Sequence, residues 1–297
     1  MAFTAVDLSQ LRAPGVIDDL SFETILQAML TELQARDPEF SALVESDPAY
    51  KILQVAAFRE LLLRQRVNEA ARAVMLAFAA GADLDQIGAN YSIERLMLDP
   101  GDQNAIPRVP PTFESDDDFR RRIQLSPEAY TTAGSAGSYV FNALGADPQV
   151  RDAQAVSPSP GVVTVYIQAR GGDGSAGVDM VEAVEAALNA ETVRPLTDNV
   201  NVQSVSVITY QVEAVLTVFP GPDAEVIHER AQESVTAYVR GQERIGFDVT
   251  RSGLFAALHR EGVQNVDLIS PAADIVVSEG EVTFCDDVTV TVGGTGV

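Results

Sequence analysis

Hydrophobic spacing splits the chain into an N-terminal stretch of helical period and a longer stretch in which helical and strand periods alternate. Ser21 stands before Phe22, Ile25, Leu26, Met29, Leu30 and Leu33, a line that predicts one amphipathic helix closed by Asp37-Pro38. Asp47 can cap a second helix with Pro48 at its first position, running over 48–80 and about 50 Å long. Its apolar residues fall on two lines. Ile52, Ala56, Leu63, Val67, Ala70 and Val74 form one; Val55, Phe58, Leu62, Ala73 and Leu76 form the other, with Arg59 and Arg66 between them. Two lines imply two neighbours. The denser line, through Leu63 and Val67, is expected against the preceding helix. The second is assigned to a partner chain, which makes Val55, Phe58, Leu62 and Leu76 the candidate interface residues; packing on both sides within one domain is the alternative.

Gly81 is expected to stop that helix, and Asp83 to cap a short one carrying Leu84 and Ile87. From Leu96 to Phe113 there are four prolines and no period, so this stretch reads as a long connector. Ser115 then caps a helix whose acids Asp116, Asp117 and Asp118 face Arg120, Arg121 and Arg122 four residues on. A cation site made from those acids is disfavoured, because each already has an arginine within reach.

Residues 135–144 predict a short helix with Tyr139, Val140, Ala143 and Leu144 inward and Gly145 as its stop. The period then changes. Val163, Val165 and Ile167 alternate with Thr164, Tyr166 and Gln168, a strand with one buried face, followed by a helix over 178–189 and a strand over 200–207. A second unit repeats the scheme. Val212, Ala214, Leu216 and Val218 alternate, a turn forms at 219–222, and Asp223 opens a helix to 240 with Ile227, Ala231, Ser234 and Tyr238 inward. A short helix over 253–261 and Val-rich strands from Val263 close the chain, with the final GGTGV loose. The fold class is α+β, an all-helical N-terminal region followed by two consecutive α+β modules. The divisions fall at 1–112 (an arm over residues 1–20 broken at Pro14-Gly15, long helices, connector), 113–207 (central module) and 208–297 (C-terminal module).

Composition narrows the chemistry. The 297 residues carry a net charge of −23 and no tryptophan, which argues against nucleic acid and anionic membrane as partners. Cys285 is the only cysteine, so an intrachain disulfide and a four-thiolate zinc site are excluded, and with His228 and His259 the only histidines a His-rich metal site or a His-centred triad is disfavoured. The first residues, MAFTAVDLSQLRAPG, lack the basic and apolar regions of a signal peptide, and no apolar run is long enough to span a membrane. Assembly in a cytoplasm is expected.

One enzyme signal needs weighing. Gly172, Gly174 and Gly177 fit G-x-G-x-x-G between a strand and a helix, the context of a dinucleotide site, and make a nucleotide-dependent enzyme the alternative function. Asp173 places a carboxylate where a pyrophosphate would approach, and the strand over 201–207 ends without an acid for a ribose. No Lys-Ser/Thr pair follows for a Walker site. His259 with Arg260 and Glu261 has no nucleophile placed with it, and Cys285 beside Asp286 and Asp287 is disfavoured as a thiolate. No catalytic residue, cofactor or metal ligand is assigned.

Several segments, in their order, carry a resemblance. GADLDQIGANYSIER (81–95), PEAYTTAGSAGSY (127–139), VRDAQAVSPSPGVVTVYI (150–167) and VRPLTDNV (193–200) are similar to the baseplate J-like family. These are wedge proteins of contractile-tailed phages and related injection machines. The resemblance implies a structural, non-enzymatic part of a virion tail baseplate, assembled in the host cytoplasm. It implies as partners copies of itself, a smaller wedge partner, hub or tail-tube proteins and possibly sheath. It also associates the C-terminal module, expected to fold alone, with self-pairing.

Overall fold

The computed structural model describes residues 6–12, 20–131, 134–221 and 223–297. Of the arm read over 1–20, Pro14 and Gly15 lie outside these residues, as do Thr132, Ala133 and Pro222. Within it, Leu8–Gln10 form one 3-10 turn. The described residues make two compact units, Val6–Arg95 with Ser115–Ile123, and Leu96–Glu114 with Gln124–Val297.

The helical unit starts with α1 (Phe22–Arg36), whose first turn is closed by the Ser21 hydroxyl accepting from the Thr24 N–H. Asp37 ends it and then caps the 3-10 turn Pro38–Ala42. Helix α2 (Pro48–Ala73) has proline first, as the sequence predicts, but Asp47 does not cap it. That carboxylate accepts from the Val44 N–H instead. The helix stops seven residues before the predicted end. Beyond it the carbonyls of Leu76 and Ala79, which a continuing helix would give to its next turn, accept at 2.8 Å from Nε and Nη2 of Arg120. Gly81, at φ +52°, opens α3 (Gly81–Asn90) rather than ending α2.

Helix α4 (Asp116–Leu125) is capped by Ser115 as expected. By its contacts its first eight residues belong with the helices before it, although they lie beyond the 112/113 division. Phe119 is fully buried against Gly88, where any β-carbon would lie 2.4 Å from the ring.

In the second unit, β1 (Met97–Asp99) and β2 (Thr112–Phe113) pair antiparallel, with a further bridge between Asp102 and Val109. The predicted connector is therefore a β-hairpin. Aspartates at 99 and 102 hold its turns by accepting from the N–H groups of Gly101, Asn104 and Ala105.

The central module is α5 (Ala136–Ala146), β3 (Val150–Ser159), β4 (Val162–Ala169), α6 (Val178–Leu188) and β5 (Asn199–Ser204). Its sheet has the order β3-β4-β5, antiparallel then parallel, with α6 as the crossover. Tyr139, Val140, Ala143 and Leu144 are buried, as their spacing predicts, and pack with Val165 and Ile167. The C-terminal module is β6 (Ser206–Val218), α7 (Ala224–Gln242), α8 (Arg251–Leu258), β7 (Val263–Ser270) and β8 (Glu281–Thr295), with sheet order β7-β6-β8. Val212, Ala214, Leu216 and Val218 form its floor. The inward line of α7 is Ile227, Ala231, Val235 and Val239, so the expected Ser234 and Tyr238 sit one position off the buried stripe. The end is not loose as far as Thr295, because β8 follows β6 in parallel register through Gly294 and Thr295.

Strand β4 differs from its one-sided expectation. Thr164 and Gln168, on the face away from the helices, are buried too. That face receives the C-terminal module: Gln168 donates to the Glu243 carbonyl, Asp152 accepts from the Ile245 N–H, and Gln154 accepts from the Gly280 N–H. Val205, Ile245 and Val282 pack there with Tyr166. Gly280, at φ +73°, lies so close that a β-carbon would stand 2.6 Å from the Tyr166 ring. Backbone of the next module meets the Gln168 amide N–H, the Asp152 carboxylate and the Gln154 carbonyl oxygen on this polar face, while Gln168 Oε1 is buried without a partner.

Candidate assembly surfaces

Helix α2 holds α1 with a stripe that neither predicted line contains. Tyr50, Leu53, Ala57 and Leu61, spaced three and four apart, pack on Ile25, Leu26 and Leu30. Ala57 at the centre is fully buried and small, which lets the two backbones approach. Leu63, expected on α1, is 68 % exposed and Val67 60 %. The expectation fails because apolar density was taken as the sign of the inward face, whereas the inward stripe mixes Tyr50 and Ala57 with leucines.

The residues assigned to a partner chain are exposed in this chain: Val55 by 63 %, Phe58 by 50 % and Leu62 by 41 %. Leu76 is different. It lies past the end of α2, partly buried, with its carbonyl held by Arg120. With Ile52, Leu63 and Val67, the outer side of α2 offers six large apolar side chains to solvent, centred on Arg59 and Arg66.

Around α4, ion pairs also form outside the predicted i, i+4 spacing. Arg95 reaches Asp85 at 2.8 Å and Asp116 at 2.7 Å, and Arg120 reaches Asp117 at 2.6 Å. Burial works against Asp116 ionising, but the Gly81 N–H and the guanidinium of Arg95 outweigh it and hold the carboxyl below its ordinary range. Among the described residues no group of histidine, cysteine and acid side chains is arranged to hold a metal ion.

The glycine loop lies between β4 and the parallel crossover helix α6, the context its motif calls for. Three successive N–H groups of the loop are already engaged. The Gly174 N–H goes to the Gly171 carbonyl, Ser175 N–H to the Asp173 carboxylate at 2.9 Å, and Ala176 N–H to the Ser204 hydroxyl at 2.8 Å. A phosphate would have to displace Asp173, whose carboxyl the Ser175 N–H holds below its ordinary range.

Cys285 packs at the edge of the C-terminal core, and burial raises its thiol to about 11. The outer strands of that sheet are capped by helix side chains. His228 Nε2 lies 2.8 Å from the Val290 carbonyl, so that nitrogen carries the proton, and Gln232 donates to the Val288 carbonyl. Arg251 donates to the carbonyls of Leu268 and Pro271 beside β7. His259 is exposed at the end of α8. The hairpin arm carries Ile106, 99 % exposed, at its turn. Four prolines hid this arm from periodicity, and only the Asp-led turns in the sequence could have pointed to it.

Comparison with known proteins shows the family. The baseplate J-like N-terminal domain matches residues 45–102, the central domain 131–204 and the C-terminal domain 210–291. Baseplate protein J of Escherichia phage P2 is 46 % identical over 296 residues, covering 97 % of this chain and 98 % of that protein. The cryo-EM structure of the anti-feeding prophage baseplate, 6-fold symmetrised, aligns with 61 % of this chain and 45 % of its own, at 16 % identity and a TM-score of 0.40. The chain belongs to the baseplate J-like family, and it is a structural protein of the phage tail baseplate. Among the described residues no helix is long and apolar enough to cross a membrane.

Proposed function

We propose that the chain is a wedge component of a contractile tail baseplate, joining copies of itself, a smaller wedge partner and hub, tail-tube or sheath proteins, without catalysis of its own. The observation that carries this is the outer face of α2, where Val55, Phe58 and Leu62 stand exposed beside Ile52, Leu63 and Val67. An apolar surface of this kind on a chain of net charge −23 is costly unless a partner covers it. The division into a helical region, a central module and a C-terminal module belongs to the same reading, each serving a separate neighbour. Phe58→Asp with Leu62→Asp is the test, scored by co-purification of the tail proteins with this chain. A folded variant that still enters the baseplate would remove α2 from the interface.

The nucleotide-dependent alternative rests on Gly172, Gly174 and Gly177, and the internally bonded loop speaks against it. Calorimetry with NAD or ATP should give no binding heat; micromolar binding abolished by Gly174→Val would restore the alternative.

A further inference from the structure

The central and C-terminal modules meet across a surface unlike the interior of either. We propose that this boundary is a conformational joint: the C-terminal module swings away from the central module about Val205 and returns, with both cores intact. Such a joint is independent of which surface meets which partner.

The pivot is a single residue. The chain passes between the modules once, from the end of β5 at Ser204 to the start of β6 at Ser206. The Val205 N–H donates to the Ile167 carbonyl in the central sheet, and the next N–H, that of Ser206, donates to the Gly280 carbonyl in the C-terminal module. The two backbone torsions of Val205 lie between these bonds, so rotation there breaks neither. The helices of each module pack on the sheet of that module, so the motion leaves those layers in place.

The boundary itself is mostly polar. Its apolar part is one small cluster, in which Tyr166 of β4 meets Val205, Val207, Ile245 and Val282. Around it Gln168 donates to the Glu243 carbonyl at 3.1 Å, and Gln154 accepts from the Gly280 N–H at 2.8 Å. Asp152 accepts from the Ile245 N–H at 3.3 Å, and Arg151 reaches the Glu243 carboxylate at 3.0 Å and the Arg240 carbonyl at 3.2 Å. Water can replace each of these polar contacts at small net cost, whereas parting a helix from its sheet would expose a core. Closure also leaves Gln168 Oε1 buried without a partner, a penalty that opening removes by hydration. The closed form is nonetheless one defined seat. Gly280 fits so tightly under the Tyr166 ring that no side chain could stand there, which favours two discrete states over gradual sliding.

Native-state amide hydrogen exchange on the full chain tests this. The amides of Ile245 and Gly280, both donated across the boundary to side chains of the central module, should exchange on the order of a hundredfold faster than those of Val165 and Leu216, in the middle strands of the two sheets. Tyr166→Ala, at a half-buried position, should speed both boundary amides by about tenfold or more and by the same factor, with Val165 and Leu216 still the slower pair. Arg151→Ala, which removes the Glu243 and Arg240 contacts from the edge strand β3, should speed both by a smaller common factor. Boundary amides that exchange no faster than Val165 and Leu216 overturn the proposal, since the modules would then part only by unfolding. Unequal or absent acceleration in the two variants also overturns it, because that marks separate fraying of two loops and not one module moving.

Discussion

The phenolic hydroxyl of Tyr139 donates to Asp198 at 2.8 Å, joining segments 59 residues apart. Tyr139 is the largest fully buried side chain of the chain's described residues, and burial together with Asp198 pushes its hydroxyl well above the ordinary tyrosine range. Two of the stretches similar to the family, 127–139 and 193–200, thus meet at one hydrogen bond. Their role there is to close the central core, because the polar end of a buried tyrosine needs a partner. Tyr139→Phe should cost about 1.5–3 kcal/mol in urea unfolding, the range for a hydrogen bond to a charged group. A double-mutant cycle with Asp198→Asn should return most of that as coupling.

Burial separates the two sides of α2. Leu63→Ala should change stability by no more than ~0.5 kcal/mol, the usual range for a surface site. Leu30→Ala, inside the α1–α2 contact, should cost about 2–5 kcal/mol. Thermal unfolding of the two variants side by side checks the ordering.

Arg120 ends α2 from a distance. Its Nε and Nη2 satisfy the carbonyls of Leu76 and Ala79, and its Nη1 reaches Asp117. Arg120→Met should cost on the order of 2–3 kcal/mol by leaving part-buried carbonyls unpaired. Arg120→Lys should recover little, since a single ammonium cannot reproduce the fork. Amide exchange should accelerate over 74–80 in both.

Cys285 should be unreactive at neutral pH. Its thiol titrates at about 11, against 9.0 for the free side chain, chiefly because burial disfavours the thiolate. A folded-state value raised above the unfolded one favours folding below the unfolded value, and that benefit is lost as pH climbs through the folded one. Stability should therefore fall between about pH 9 and 11, less so in Cys285→Ala, with alkylation by iodoacetamide rising over the same window.

The C-terminal module should fold alone if cut before β6. A fragment of 206–297 keeps the Ser206–Glu281 and Val207–Val282 pairs, which a start at 208 would delete. Either fragment bares Ile245 and Val282, which Tyr166 covers in the whole chain. Circular dichroism should show the longer fragment folded, with a lower melting temperature than the intact protein and a higher one than the shorter fragment.

Local physics was legible from the residues alone. The caps at Ser21, Ser115 and Asp223, the alternation in β6 and the inward line of α5 each depend on near neighbours in the chain, and each appears where its spacing puts it. The family too was legible, because the order of its motifs is a property of the sequence. What needed the tertiary structure was every question of which surface meets which. Periodicity reports that α2 has apolar lines but not that its inward stripe is a third one, Tyr50, Leu53, Ala57 and Leu61, where close approach to α1 favours the small Ala57 over a larger side chain. The end of α2 waited on Arg120, forty-four residues on from Leu76, and the second buried face of β4 on backbone donors and acceptors from the next module. Such choices are set by groups far apart in the chain, whose meeting no local pattern encodes.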